Sequence, residues 1–273
     1  MSAPLPTLLG VTATLLGTGT STGVPILGCG CRVCTSADPR DARLRTSAHV
    51  VAHTAAGPVH VQIDAGPDFR QQALRAPVRA VDGLVVTHHH VDHVAGLDDL
   101  RPFFYADKRP VPLFTLPESA AVLRDMFGYV FDRTYPGASL LDLHVVDGEA
   151  PFVVRSRTGS GAAVAVTPLV GTHGGLRVLG VRLGGFAFLT DVNAVPDETV
   201  ARLAGVDTLV LDGLRPDPHP THLSFAEAAE VARRAGARET WFVHMTHAVT
   251  HAEGDAGLPP GVRLGYDGLV LTV

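Results

Sequence analysis

The stretch GLVVTHHHVDH, residues 83–93, decides the fold. Its first four residues are apolar and rich in β-branched side chains, and a glycine opens them, which is typical of a short buried strand. The polar half then follows at the carboxyl end of that strand. Four of its side chains, His88, His90, Asp92 and His93, are of types that bind metal. The stretch therefore predicts a core strand that carries metal ligands to one edge of a sheet.

The polar half has the spacing H-x-H-x-D-H. Two imidazoles with one residue between them can turn to one cation. The Asp-His pair after them can serve a second cation nearby. Imidazole and carboxylate suit zinc, manganese or iron without selecting among them. A solvated histidine-rich turn is the alternative, but further His and Asp side chains follow later strands, which favours a metal site.

This motif resembles the hallmark of the metallo-β-lactamase superfamily. The resemblance implies an α/β fold, classed as α+β in some schemes, in which a four-layer αββα sandwich holds one or two metals at one edge of its sheets. His89 offers a second register for the histidine run. Only the register with His88 and His90 as ligands leaves Asp92 and His93 at the spacing of the superfamily.

Three later strands each end in a residue that can bind metal. Residues 164–170 lead to His173, residues 186–189 lead to Asp191, and residues 240–243 lead to His244. The resemblance assigns these residues, with the motif, to two divalent ions that are zinc or manganese. It places His88, His90 and His173 on one ion, Asp92, His93 and His244 on the other, and Asp191 as a bridge. A water between the two ions, with its pKa lowered toward neutrality, is then the nucleophile.

An earlier strand, residues 59–63, ends in Asp64. The resemblance implies that Asp64 lies behind the metals and orients a ligating imidazole. A simple Asx-turn that closes the strand explains it equally well. His49, His53 and His60 lie in the two strands predicted over residues 46–63, and we treat them as ordinary strand residues.

The three cysteines, Cys29, Cys31 and Cys34, lie within a loop at about residues 28–35. An odd, crowded set argues against a disulfide framework. Three thiolates at this spacing can share one tetrahedral zinc with a fourth, distant ligand. His247, three residues after His244, can supply it, and His251 is the other candidate. A reactive or idle thiol cluster is the alternative to a structural zinc.

His222 follows the proline-punctuated loop PDPHPT, residues 216–221. Ser224 and Glu227 then form a capping-box pattern that predicts a helix over residues 225–235. A histidine held in a stiff loop just before a helix suits an acid-base role. His219 competes for that role, and a solvated loop histidine is the remaining possibility.

Composition limits the function further. The 273 residues contain no Ser/Gly/Pro linker, so residues 1–273 are interpreted as a single domain. A formal charge of −5 provides no broad basic surface, which makes nucleic acid an improbable partner. No apolar run approaches the roughly 18 residues of a membrane span, and the first ten residues lack the basic start of a signal peptide. We therefore expect a cytoplasmic protein with no membrane partner, and a homodimer is one option.

Several features together resemble one subgroup, the cyclic phosphodiesterases of carbon-phosphorus lyase phosphonate breakdown. They are the C-x-C-x-x-C loop, the His244 and His247 pair, the His222 loop and the ending Tyr266-Asp267-Gly268. The resemblance implies hydrolysis of phosphoribosyl 1,2-cyclic phosphate or a related cyclic nucleotide by two catalytic ions, beside one structural zinc. Arg45, Arg70 and Arg101 are candidate phosphate clamps, although an ion pair with a nearby Asp explains each of them better.

Three other functions remain compatible with the motifs. The tRNA 3′-processing endonucleases share the dinuclear ligands, but they carry a long basic arm that this sequence lacks. The pyrroloquinoline-quinone accessory protein has a similar cysteine motif. A zinc-stabilised binding module without catalysis is the third, but its unused dinuclear site would bury charge at a cost.

Overall fold

The computed structural model describes residues 4–132, 134 and 141–273. Seven strands from the described residues form a first sheet, in which the first and the last strand of the polypeptide are antiparallel neighbours at one edge. Its strands are β1 (Leu8–Gly17), β2 (Ser47–Thr54), β3 (Gly57–Ile63), β4 (Gly83–Val85), β5 (Val111–Thr115), β6 (Leu141–Val145) and β14 (Val270–Thr272). Their order is β14-β1-β2-β3-β4-β5-β6.

A second sheet contains seven more strands from the second half of the chain. Its strands are β7 (Phe152–Arg155), β8 (Ala163–His173), β9 (Leu176–Leu183), β10 (Phe186–Leu189), β11 (Thr208–Asp212), β12 (Glu239–Val243) and β13 (Val262–Leu264). Their order is β13-β12-β11-β10-β9-β8-β7. Strands β10 to β13 run parallel, so their carboxyl ends meet at one edge.

The two sheets bury alternate apolar residues between them. Val11, Ala13 and Leu15 of β1 share one buried cluster with Phe186 and Phe188 of β10. Successive side chains of a strand point to opposite faces, so this period of two turns one face of each sheet to the common core.

Helices cover the outer face of each sheet. Leu84 of β4 packs with Phe69 in one outer cluster, and Leu211 of β11 packs with Val231 in the other. The α-helices are α1 (Phe69–Arg75), α2 (Val91–Val94), α3 (Arg101–Asp107), α4 (Pro117–Met126), α5 (Gly128–Phe131), α6 (Asp197–Leu203), α7 (Phe225–Ala235) and α8 (His251–Ala256). Helix, sheet, sheet and helix layers confirm the predicted αββα sandwich. Across the described ranges, none of the helices combines the length and the apolarity that crossing a bilayer requires.

Local sequence signals located most elements well. The predicted capping box is present, because the Ser224 side chain accepts from Glu227 N while the Glu227 side chain accepts from Ser224 N, and α7 begins at Phe225. The helical stretch that starts at Pro117 is split, since Phe127 leaves helical geometry at φ −127° and separates α4 from α5. Strand β9 was not anticipated.

Residues 136–161 form the segment that joins the two sheets. Its first part, residues 136–140, lies outside the described residues. Strand β6 then closes the first sheet beside β5, and β7 begins the second sheet beside β8. The segment is therefore a crossover, because its two strands pair in different sheets and not with each other.

Candidate metal centre

The H-x-H-x-D-H motif lies where β4 ends, at the edge between the two sheets. His88 is fully buried, His90 is exposed as the residue before α2, and α2 carries Asp92 and His93. Gly66 packs against this turn so closely that an added Cβ would lie 1.8 Å from the Asp92 carbonyl oxygen. Only glycine allows the chain after β3 to approach the motif in this way.

The first cluster of potential ligands contains His88, His90 and His173. One ligand atom from each lies within 4.8 Å of the others. The ring centroids of His88 and His90 are 4.5 Å apart, and those of His90 and His173 are 5.1 Å apart. The structure thus brings β8 and the motif together, as the resemblance implies.

The second cluster contains Asp92, His93, Asp191 and His244, again within 4.8 Å of one another. Asp191 Oδ1 lies 3.0 Å from His244 Nε2 and 3.4 Å from His93 Nε2. The same oxygen is 4.0 Å from Nε2 of His88 in the first cluster. Asp191 therefore lies between the two clusters, where a carboxylate could bridge two ions.

The ring nitrogens that face the clusters are poorly satisfied by protein groups. Nε2 of His88, His93 and His244 is buried in each case and lacks a hydrogen-bond partner among the described residues. Buried polar atoms are normally paired, so converging acceptor atoms without partners fit a cation site. Which of these side chains bind metal stays a prediction.

Neighbouring groups fix the orientation of three of the imidazoles through Nδ1. Nδ1 of His93 lies 2.7 Å from Asp64 Oδ2, and Nδ1 of His173 lies 2.7 Å from the Thr221 carbonyl oxygen. His88 Nδ1 lies 3.1 Å from Oγ1 of Thr87, whose hydroxyl donates to Asp64. With Nδ1 engaged as the donor, Nε2 is left to bind a metal.

Strong electrostatic coupling accompanies this arrangement. Burial lowers the pKa of the His88 imidazole well below its usual value. Burial also acts to lower the pKa of His244, but the carboxylates of Asp191 and Asp92 outweigh it and raise that pKa to about 10. Burial opposes ionisation of Asp191 too, yet His244 and His93 hold its pKa well below the usual range. Cations bound here must displace protons, so metal binding weakens as the pH falls.

Asp64 lies behind the second cluster and is fully buried. Besides contacting His93, its carboxylate accepts from the Thr87 backbone N–H at 2.8 Å and from the Thr87 hydroxyl at 2.9 Å. This placement matches the expected orienting role more closely than a simple strand-closing turn does. The role itself stays a prediction.

Three residues of the centre have left-handed backbone conformations. Asp64 and Asp191 have φ 55°, and His244 has φ 63°. Non-glycine residues in this region cost about 1 to 3 kcal/mol each. Asp64 and His244 directly follow a strand, and Asp191 lies two residues after the end of β10, so a tight turn at a strand end aims each side chain at the centre.

His222 lies against both clusters. It is 8% exposed, and its ring centroid is 4.7 Å from that of His244 and 4.5 Å from that of His173. His219 is farther out: its ring is 5.3 Å from His222, and its Nδ1 faces the N–H of Thr221. Between the two candidates, His222 is the one in contact with the clusters.

Asp212 is the residue that sequence reasoning missed. Its Oδ2 accepts from the N–H groups of Val192 at 3.0 Å and Leu223 at 3.3 Å, and it lies 3.1 Å from His222 Nδ1. Its Oδ1 is 3.9 Å from His244 Nδ1. The sequence did carry a signal for Asp212, because this aspartate lies at the end of β11 much as Asp64 lies at the end of β3. The sequence reasoning nevertheless assigned no role to Asp212.

The cysteine loop forms a separate cluster with His247. His247 Nδ1 lies 3.5 Å from Cys29 Sγ, 3.4 Å from Cys31 Sγ and 3.3 Å from Cys34 Sγ. The four donors fit a tetrahedral zinc site of three thiolates and one imidazole. The Cys34 backbone N–H is the main cause that lowers the pKa of the Cys31 thiol to about 6, which favours the thiolate. His251 lies elsewhere, with its backbone N–H donating to Asp41 Oδ1 at 2.6 Å.

Two of the three candidate phosphate clamps are engaged in ion pairs. Arg45 Nη1 lies 3.0 Å from Asp68, and Arg101 Nη2 lies 2.6 Å from Asp98. Burial raises the pKa of Asp99, and the nearby Arg70 opposes that shift. The contacts therefore favour the ion-pair explanation for Arg45 and Arg101. His89, the alternative register of the motif, turns to Ser119 Oγ at 3.2 Å instead of joining a cluster.

Comparison with known proteins gives consistent matches. Residues 60–245, more than half of the chain, match the family described as the beta-lactamase superfamily domain. An octanoyltransferase of Porphyromonas gingivalis is 41% identical over 258 residues, which are 93% of this chain and 50% of that protein. The chain thus spans about half the length of that relative. Coenzyme PQQ synthesis protein B of Methylobacterium radiotolerans is 31% identical over 226 residues, which are 73% of this chain and 71% of that protein.

Two solved structures complete the comparison. A new diphosphatase from the PhnP family is 37% identical, covers 98% of both chains and superposes with a TM-score of 0.86. Zn²⁺-bound PqqB from Methylobacterium extorquens is 20% identical, covers 95% of this chain and 99% of its own, and superposes with a TM-score of 0.67, which supports the fold. By sequence profile and by its layered fold, the chain belongs to the metallo-β-lactamase superfamily, and it resembles the PhnP-family diphosphatase in structure.

Proposed function

We propose that the protein is a metal-dependent phosphodiesterase that hydrolyses a small cyclic phosphodiester, such as phosphoribosyl 1,2-cyclic phosphate or a related cyclic nucleotide. The observation that carries the proposal is the position of Asp191 Oδ1, within 4.0 Å of Nε2 of His88, His93 and His244. One carboxylate that serves two adjacent clusters suits a pair of cations about 3.5 to 4 Å apart.

The residues that would hold the pair are the seven of the two clusters. His88, His90 and His173 would bind one ion, Asp92, His93 and His244 the other, and Asp191 both. When bound, zinc or manganese at such a centre supplies Lewis-acid polarisation of the phosphoryl oxygens and lowers the pKa of water. The thiolates and His247 would hold one structural zinc.

His222 would move the proton that the reaction needs. Asp212 accepts from Nδ1 of His222, which leaves Nε2 as the nitrogen that exchanges a proton. The ring lies against His173 and His244, where a phosphate held by the clusters would come within its reach. Donation from Nε2 to the departing alkoxide oxygen would make that oxygen a better leaving group.

Hydrolysis of a diphosphate is the second candidate. The solved relative that covers 98% of this chain at 37% identity is a diphosphatase, and that identity favours similar chemistry. Attack on phosphorus is common to both reactions, and the leaving group is a phosphate in one and an alkoxide in the other. A phosphate leaves without a proton more readily, so the need for His222 separates the two reactions.

The experiment compares substrates on the metal-loaded protein. We expect turnover of bis(p-nitrophenyl) phosphate and of 2′,3′-cyclic AMP, with weaker turnover of inorganic diphosphate and ADP. Precursor tRNA should stay intact, in keeping with the charge of −5. Faster hydrolysis of diphosphates than of diesters would favour the second candidate. No hydrolysis of any of these would refute both, and would direct attention to the 31% identity with coenzyme PQQ synthesis protein B.

A further inference from the structure

A hydrogen-bonded series of polar side chains leads from the outer part of the first sheet to the back of the candidate centre. Its middle member is Gln62, which is fully buried in β3. Gln62 Nε2 donates to the Asp64 carbonyl oxygen at 2.8 Å and to Ser47 Oγ at 2.8 Å. Val61 and Ile63 belong to the core between the sheets, so alternation places Gln62 on the opposite face. Burying a polar amide on that face is costly unless its hydrogen bonds are satisfied.

The hydrogen bonds in this series of side chains have a fixed direction. Gln62 Oε1 can only accept, so His49 Nδ1, at 3.2 Å, carries the proton. His49 Nε2 is then the acceptor for Nδ1 of the half-buried His60, also at 3.2 Å. Every link therefore donates toward Asp64.

The series of side chains ends at Asp64, whose backbone conformation is unfavourable by itself. Asp64 has φ 55°, and its carbonyl oxygen accepts from Gln62 Nε2 at 2.8 Å and from Ser47 Oγ at 3.0 Å. The net stabilisation from such hydrogen bonds is comparable with the cost of the left-handed conformation. The two bonds thus offset the strain that aims the Asp64 carboxylate.

We propose that Gln62 and Ser47 are positioning residues for the candidate metal centre. By holding the Asp64 carbonyl they fix the Asp64 carboxylate, whose Oδ2 lies 2.7 Å from His93 Nδ1, and so they fix the direction of His93 Nε2. The inference rests on the proposed centre but not on the identity of its substrate. Groups that hydrogen-bond directly to a metal ligand typically change metal affinity by 10- to 100-fold when lost, and Gln62 and Ser47 act through such a group, Asp64.

The test compares one substitution at two buried glutamines. Gln62→Met removes the donor to Asp64, whereas Gln72→Met removes an equally buried donor to the Arg45 carbonyl oxygen, at 2.7 Å, away from Asp64. Metal-free protein is titrated with Zn²⁺ against a competing chelator, which resolves the tight thiolate site from the weaker pair. Gln62→Met should weaken zinc binding at the pair at least tenfold. Gln72→Met should change it less than threefold, and both should retain the thiolate zinc.

Ser47→Ala is the second variant, because it deletes a single hydroxyl and should fold if Gln62→Met does not. It should weaken the pair about threefold to tenfold. Equal effects of Gln62→Met and Gln72→Met, or an unchanged pair in Gln62→Met and Ser47→Ala, would overturn the proposal. Wild-type protein that binds zinc at the pair yet hydrolyses no phosphoester refutes the proposed function alone. Wild-type protein that binds no zinc beyond the thiolate site refutes both.

Discussion

The two potential metal sites of this protein differ in how the chain builds them. The His/Asp centre draws its seven side chains from the ends of several strands and buries most of them. The cysteine cluster takes three of its four donors from one loop, and all four are only partly buried. The first site depends on the whole sandwich, whereas the second depends on a local loop and one histidine.

Support for the ligands differs in the same way. In the His/Asp centre, Asp64 contacts His93 from behind, and Asp212 contacts the neighbouring His222 in the same way. In the cysteine cluster, the backbone N–H of Cys34 lies 3.5 Å from Cys31 Sγ. An exchangeable catalytic pair benefits from imidazoles held by a rigid scaffold, while thiolates bind zinc tightly from a short loop. The comparison suggests that damage to one site should spare the other, and the predictions below test that separation.

The largest expected effect is at Asp191. Asp191→Asn keeps the size and the tolerance for φ 55° but removes the charge that both clusters share. Turnover of bis(p-nitrophenyl) phosphate should fall on the order of 10⁴-fold, and metal analysis should find the pair lost with the thiolate zinc retained. A variant that keeps three metals and turnover within tenfold would show that Asp191 is not a bridge.

The next effect is at His222. His222→Asn should lower kcat for a cyclic diester about 10³-fold while the metal content stays the same, because the proposed role of the side chain is to move a proton and not to bind an ion. His219→Asn is the matched control on the same loop and should cost less than tenfold. If the order of these two effects is reversed, His219 is the acid.

A smaller effect concerns the cysteine cluster. His247→Gln should release the thiolate zinc and lower Tm by roughly 5 to 10 °C, whereas His251→Gln should retain it, because His251 lies outside the cluster. Zinc counting on each purified variant checks the assignment. Loss of zinc from His251→Gln alone would exchange the two roles.

The smallest effect is on stability in mild acid. Burial, with His60 as a lesser cause, lowers the pKa of His49 to about 4, against an ordinary value of 6.5. The folded protein then binds fewer protons than the unfolded chain between these values, so stability is complete above pH 6.5 and is lost as the pH falls toward 4. The loss from pH 7.5 to pH 5 should be about 2 kcal/mol.

Urea unfolding of metal-free protein at the two pH values measures this loss. His49→Gln keeps a hydrogen-bonding side chain without the titration, and it should make the difference smaller by about 2 kcal/mol. An unchanged pH dependence in that variant would mean that other groups cause the loss.

Sequence reasoning reached the parts of the fold that local patterns determine. Short β-branched runs predicted β4, β5 and β10, and the Ser224 capping pattern predicted the start of α7. The superfamily motif then indicated which strand ends should meet, and the fold brings those ends together. These signals depend on a few adjacent residues, which is why they can be recognised without coordinates.

Contacts that depend on strand register could not be predicted in this way. His49 and Gln62 are directly paired neighbours on β2 and β3, so their hydrogen bond exists only in that register. His49 and His60 were predicted to be ordinary strand residues, but they belong to the hydrogen-bonded series of side chains that leads to Asp64. Asp212 escaped notice for a related reason, since its partner His222 lies ten residues away across a proline-rich loop.

The left-handed conformations at the centre have a consequence for redesign. Aspartate, asparagine and histidine tolerate such backbone angles better than other residues with side chains, and positions 64, 191 and 244 hold two aspartates and a histidine. An attempt to retune the metal preference with glutamate or cysteine at position 191 or 244 would change a proposed ligand and strain the turn at once. Directed evolution of a new activity should therefore find its tolerated changes among the ligands with ordinary backbone angles, such as His90 and His173.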